Sequence, residues 1–106
     1  MLPKIDAVMP VAELRFSRKA EIDLAEIADF SVGKFGIIQA RLYRDNFQAC
    51  FNSLCENPKL GRSANELAPG LRRIRQQAHV IFYQHAQDQV LVVRVLHYSM
   101  DFERNL

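Results

Sequence analysis

Apolar and polar positions alternate where the ordered pattern begins. In "VAELRFS", residues 11–17, Val11, Glu13 and Arg15 alternate with Ala12, Leu14 and Phe16. A period of two predicts a short strand with one buried face. Ser17 follows and is a good N-cap. The period then lengthens. In "RKAEIDLAEIADFSVGKFG", residues 18–36, Ala20, Leu24, Ile27, Ala28 and, at the far end, Phe35 form an apolar stripe. Glu21, Asp23, Glu26 and Asp29 are expected on the other side, and acids near the N-terminus suit a helix dipole. Gly33 and Gly36 punctuate the end. In "IIQARLYRDNFQACFNSLCENP", residues 37–58, Ala40, Tyr43, Phe47, Cys50, Phe51 and Leu54 recur at spacings of three and four. That is a second amphipathic helix, stopped by Asn57-Pro58. The short join between the two implies a helical hairpin.

Residues 59–70, "KLGRSANELAPG", have the Gly, Pro, Ser and Asn of a loop. "LRRIRQ", residues 71–76, reads as a strand. "AHVIFYQH", residues 78–85, is the next, after a tight turn near Gln77. "AQDQ" turns the chain again, and "VLVVRVLH", residues 90–97, is the last long strand. The end, "YSMDFERNL", forms one helical turn or a frayed tail. The order β-α-α-β-β-β closes with a meander whose short turns require antiparallel pairing. The hairpin must cover one face of the sheet to bury its stripe. The expected architecture is α+β, with the helical hairpin packed on one face of a small antiparallel sheet and the other face freer. One domain over residues 11–106 is expected, preceded by a flexible leader over residues 1–10.

Length and composition agree with one soluble globular domain: 106 residues, 49% hydrophobic and 25% charged. The net charge of +2 is too mild to announce a nucleic-acid binder. Its distribution says more. Residues 1–58 carry seven basic and eight acidic side chains, whereas residues 59–106 carry seven basic, six of them arginine, and four acidic. Arginine suits bidentate contact with phosphate or carboxylate. Cys50 and Cys55, five apart on a helix, point about 140° from each other, so no disulfide between them is expected. Two free thiols fit a reducing cytoplasm. No zinc pattern, cofactor motif or membrane-length apolar run is present, and the first ten residues lack the pattern of a signal peptide.

Strand alternation sorts the charges. Arg73 and Arg75 share one face of the 71–76 strand, with Arg72, Ile74 and Gln76 on the other. On the last strand, Leu91, Val93 and Val95 are expected to meet the helices. Arg94 then lies on the open face with Val90, Val92 and Leu96. An arginine in so apolar a strand needs a partner or water, and a basic patch of Arg73, Arg75 and Arg94 is expected on the uncovered sheet. The patch is either a set of solvated side chains paired with nearby carboxylates or a docking face for an acidic partner or a phosphate backbone; both can hold. His79 and His85 lie about 20 Å apart along one strand, too far to share a metal. His97 and Tyr98 end the last strand. Near arginines such a pair can do acid–base work on RNA, or it serves packing and a local hydrogen bond.

"LRFSRKAEIDLAEIADF", "CENPKLGR", "ELAPGLRRIRQQAHVIFYQ" and "VVRVLHYSMDFERNL", in that order and spacing, resemble the ParE branch of the RelE/ParE toxin superfamily. The resemblance runs from about Ala12 to Leu106. It implies the toxin of a type II toxin–antitoxin pair, of the fold derived above and without a cofactor. A ParD-like antitoxin would hold it inactive through a flexible segment. Once released, the toxin would inhibit DNA gyrase and block replication. RelE-type members instead cut mRNA on the ribosome. For that chemistry this chain offers only His97, Tyr98, Arg73 and Arg94, with no lysine after Lys59. Gyrase inhibition with no chemistry by the chain itself is therefore the favoured expectation. The antitoxin is expected to cover two surfaces, its apolar anchors on Leu24, Ile27, Tyr43 and Phe47 of the helical hairpin and its acidic residues on Arg73, Arg75 and Arg94. The target is expected on Arg73, Arg75, His97, Tyr98 and Arg104. No membrane partner is expected, and no sequence-specific nucleic-acid binding outside the antitoxin complex.

Overall fold

Two helices over a five-stranded sheet, seen in a computed structural model that describes residues 11–106, realise the expected α+β plan. The elements are β1 (Glu13–Phe16), α1 (Arg18–Phe35), α2 (Ile37–Glu56), β2 (Arg62–Ser63), β3 (Leu71–Gln76), β4 (His79–Ala86), β5 (Gln89–His97) and α3 (Phe102–Asn105). The leader assigned to residues 1–10 lies outside the described residues. Ser17 caps α1 as expected: its hydroxyl accepts from the Ala20 N–H at 3.0 Å and donates to the Val93 carbonyl at 2.7 Å. Gly36, with φ of 86°, separates α1 from α2. At that φ a residue with a Cβ is strained, so glycine belongs there.

The strand order is β1-β5-β4-β3-β2. The meander β3-β4-β5 is antiparallel as expected, closed by turns with Gln77 and Gln87 at positive φ. Two features add to the expected sheet. β1 pairs in parallel with β5, Leu14 opposite Val90. The loop contributes the two-residue strand β2 to the outer edge of β3. The chain ends in a helical turn, α3, rather than a frayed tail.

The face of β5 differs from the alternation expected for it. Tyr83 pairs with Val92, but Phe82 pairs with Arg94, so Val93 is an extra residue in β5. Such a bulge shifts the side-chain phase by one position. Val90 and Val92 therefore join Val95 in the core under the helices, with Phe47, Phe51, Leu54, Ile81 and Tyr83. Leu91 and Val93, expected on that side, are only half-buried. Ile74 packs against the same core, as its position on β3 predicts. Phe35, expected on the stripe of α1, is 59% exposed, and Asp23 is buried in its stead.

The second face of the sheet carries its own small core, a correction to the expectation of a free surface. Ala64, Leu71, Val80, Phe82 and Leu96 are buried there beneath Leu67, Ala68 and Phe102. Phe102 of α3 meets Phe82 edge-to-face at 4.9 Å. Arg94 is corrected with it. Its guanidinium grips Asp23 of α1 in two parallel bonds, Nε to Oδ2 at 2.8 Å and Nη2 to Oδ1 at 2.9 Å. Nη1 also donates to the Asn105 carbonyl of α3. β1 ends at Phe16, and beyond it Asp23 takes the vacant place beside β5, accepting the Val95 N–H at 2.9 Å. Arg94 is thus a structural tie and not part of a patch with Arg73 and Arg75.

The 58–62 loop is bolted to the sheet by Tyr83 and Arg72. The Tyr83 hydroxyl donates to the Pro58 carbonyl at 2.7 Å and accepts the Gly61 N–H at 2.8 Å. Arg72 Nη2 donates to the Gly61 carbonyl at 2.6 Å. A Cβ on Gly61 would stand 2.6 Å from the Tyr83 hydroxyl and 2.7 Å from the Arg73 carbonyl, so only glycine fits. Replacing Tyr83 with Phe should orphan both loop groups and lower the unfolding free energy by about 1–3 kcal/mol in urea titrations. An unchanged midpoint would show that the two bonds contribute nothing net.

Candidate interaction surface

Two cavities meet around the end of β5. The first, about 450 Å³, opens on the second face at the outer edge of β3. Arg62, Arg73 and Arg75 line it with Leu60, Val80, Tyr98 and Phe102. It arises because β2 runs beside β3 only at Arg62 and Ser63, while residues 58–61 leave the edge to bind Arg72 and Tyr83. In the two-residue hairpin after β3, Gln76 and His79 face each other. Alternation then turns the Arg75 main-chain N–H and C=O outward, toward this opening.

Each arginine here is held differently. Arg73 pairs with Glu66 at 3.2 Å, and its buried Nε has no hydrogen-bond partner among the described residues. An unsatisfied buried donor costs about 1–3 kcal/mol, which an incoming acceptor would relieve. Arg75 donates from Nε to the Gln77 carbonyl at 2.6 Å and stacks over Tyr98, its guanidinium carbon 4.2 Å from the ring centre. Arg62 is exposed at the mouth.

The second cavity, about 350 Å³, lies on the helix side at the tip of the hairpin. Phe30, Phe35 and Leu42 form its apolar wall, with Tyr43, His79 and His97 at its base. Phe30, Phe35, Ile38 and Leu42 are all more than half exposed. Apolar side chains gathered in this way on the surface of a small domain mark an interaction surface. They surround the break at Gly36, where neither helix can fold them under.

His79 is fixed between layers. Its Nδ1 lies 2.5 Å from the Tyr43 hydroxyl of α2, and its ring meets His97 of β5 edge-on at 5.5 Å. Phe47 of α2 packs on it too. Burial, with His97 nearby, pushes the His79 pKa down to about 4, against a weaker opposing pull from Asp23 of α1. Burial also raises the Tyr43 pKa, so the phenol keeps its proton, and the tautomer of the imidazole sets which of the two groups donates in their shared hydrogen bond. His97 Nδ1 is taken up by Ser99, 2.7 Å from its hydroxyl.

The residues expected on antitoxin and target surfaces separate in space. Leu24, Ile27, Tyr43 and Phe47 line a smaller groove of about 170 Å³ between the helices, and Phe47 is itself buried. The more exposed Phe30, Ile38 and Leu42 are not singled out by periodicity, because they lie off the stripe, and Phe35, read as the far end of the stripe, stands at the surface beside them; their signal is the crowding of large apolar side chains around Gly36. Arg73, Arg75 and Tyr98 come together in the arginine cavity. His97 lines the apolar one, and Arg104 is exposed on α3. The four residues available for RNA cleavage are divided: Arg73 and Tyr98 line one cavity, Arg94 and His97 another.

The family model described as the ParE toxin of a type II toxin–antitoxin system, parDE, matches residues 14–102. This chain belongs to the ParE toxin family. Toxin ParE1 of Mycobacterium tuberculosis strain H37Rv is 36% identical over 91 residues, covering 85% of this chain and 93% of the relative. Toxin ParE1 of Caulobacter vibrioides is 36% identical over 92 residues, covering 87% of this chain and 95% of the relative. A solved structure described as a chromosomal ParDE system from P. aeruginosa superposes with a TM-score of 0.71 at 19% identity, over 82% of this chain and 96% of that one. The ParE fold is therefore the fold found here. This ParE toxin shows no helix long and apolar enough to cross a membrane among the described residues.

Two outcomes test the geometry of the site. Asp23→Ala leaves Arg94 buried without its counter-charge and should cost about 3–5 kcal/mol of stability in denaturant melts. His79 carries a folded pKa below its unfolded 6.5, so the unfolded chain binds the extra proton. Stability should be complete above about pH 6.5 and fall as pH drops toward about 4, by roughly 1–2 kcal/mol after allowance for the ring's partial exposure. His79→Gln should flatten that slope in melts recorded across the range.

Proposed function

We propose that this toxin poisons DNA gyrase and so blocks replication, performs no chemistry of its own, and is neutralised in the cytoplasm by a ParD-like antitoxin. Membership of the ParE family carries the reading. The two cavities support its antitoxin half. Their linings include His97 and Tyr98, consecutive residues, so a single extended segment can pass from one to the other. Apolar residues of that segment would fill the hairpin tip beside Phe30, Phe35 and Leu42. Its acidic residues would meet Arg73 and Arg75. A disordered tail suits this path, because ordering on binding lets a short segment cover a large surface. The groove of Leu24, Ile27, Tyr43 and Phe47 lies next to the tip and extends the apolar part, with Arg94 outside the charged part.

For the target, Arg73, Arg75, Tyr98 and His97 together with Arg104 remain the proposed contacts. An antitoxin lying over the first four would then hide them from gyrase. A ribosome-dependent endoribonuclease would need its proton-transfer group and its arginines around one scissile phosphate, and here Arg94 is committed to Asp23.

Supercoiling and DNA-cleavage assays with purified gyrase decide the main point. Supercoiling should fall and cleaved DNA accumulate as toxin is added; gyrase unaltered by excess toxin would overturn the reading. For the antitoxin, Arg73→Glu with Arg75→Glu should weaken binding of the neighbouring gene's product by about a hundredfold or more through like-charge repulsion. Equal affinity of the double variant and the parent chain would remove the groove from the interface.

A further inference from the structure

We propose that the cavity at the outer edge of β3 is a phosphate-binding site that takes a nucleotide, free or at the end of a strand. This goes beyond the proposed function, which requires no phosphate ligand. Three guanidiniums, Arg62, Arg73 and Arg75, line one opening, and none of its lining residues is acidic. One carboxylate, that of Glu66, pairs with Arg73 at 3.2 Å from an exposed side chain. It is an internal anion that a stronger one can displace.

The donors are also unspent. Arg73 Nε is buried without a partner, and no hydrogen bond or ion pair to the terminal nitrogens of Arg75 is found among the described residues. Stacking on Tyr98 fixes the plane of the Arg75 guanidinium while leaving those nitrogens available. A planar guanidinium held in place suits bidentate binding of phosphate oxygens. A phosphate monoester brings up to two charges and three acceptor oxygens, a better match to several guanidiniums than a single carboxylate.

The rest of the lining favours an organic phosphate over the bare ion. Leu60, Tyr98 and Phe102 provide apolar and aromatic walls. A volume of about 450 Å³ is that of a small-ligand pocket. A base could lie against those walls while its phosphate meets the arginines.

Calorimetric titration of the purified chain with inorganic phosphate, adenosine 5′-monophosphate, an eight-residue thymidine oligonucleotide and hexaglutamate tests the site. The mononucleotide should saturate and bind about tenfold tighter than phosphate alone. Tighter binding of the oligonucleotide assigns a nucleic-acid strand as the source; equal or weaker binding assigns a free nucleotide. R73Q or R75Q should weaken binding by about tenfold or more, R44Q on the far helix should not, and E66Q should tighten it. The site is overturned if no phosphate compound saturates, if only hexaglutamate binds, or if R73Q binds as the parent does. Should R73Q fail to fold, E66Q decides, since unfolding cannot tighten a ligand: unchanged affinity overturns the site.

Discussion

The bidentate pair of Asp23 and Arg94 ties together three parts of the fold that share no continuous hydrogen-bonded ladder. It joins α1 to β5, substitutes for β1 where that strand has ended, and through the Asn105 carbonyl holds α3 on the second face. Burying two charges is costly, and the arrangement is tolerable because their hydrogen-bonding capacity is largely satisfied. Its partners come from the first helix, the last long strand and the C-terminal turn. The hydrogen bonding to Asp23 raises the Arg94 pKa further, so the guanidinium keeps its charge.

Placed this way, Arg94 frees the other arginines for different work. Phe82 sits between Arg73 and Arg94 in one row across the sheet, and Phe102 covers it. The second face is therefore part core and part groove, not a flat charged surface. α3 divides the two: its phenylalanine seals the small core and also forms one wall of the arginine cavity. Removing α3 would open the core and the groove at once.

Much of this was legible in the sequence, and the misses have physical causes. The stripe from Tyr43 to Leu54 reads correctly because a helix has no way to slip phase within a turn. Ser17 reads correctly because capping is local. The faces of β5 do not, since nothing in a run of valines marks which residue is squeezed out of register. One inserted residue at Val93 exchanged Leu91 and Val93 for Val90 and Val92 in the core. The partner of Arg94 was recoverable in principle. Asp23 falls between Ala20 and Ile27 at spacings of three and four, inside the buried stripe of α1, and a lone acid there demands a cation as surely as an arginine in an apolar strand demands an anion. The groove depends on where a loop leaves an edge strand, which is set by Tyr83 and Arg72 acting across 11 to 25 residues of chain.

The parallel pairing of β1 with β5 bears on the order of events during synthesis. Glu13 finds its partner only at Gln89, so the N-terminal strand waits for nearly the whole polypeptide before it can be placed. Asp23 waits likewise for Arg94. Contacts between such distant segments are slow to form, because the loop must close before they repay its entropy. A nascent chain on the ribosome therefore offers its helical hairpin, with the exposed tip, before the sheet that completes the arginine groove exists. A neutralising partner that recognises the tip could thus engage the toxin before the toxin is whole.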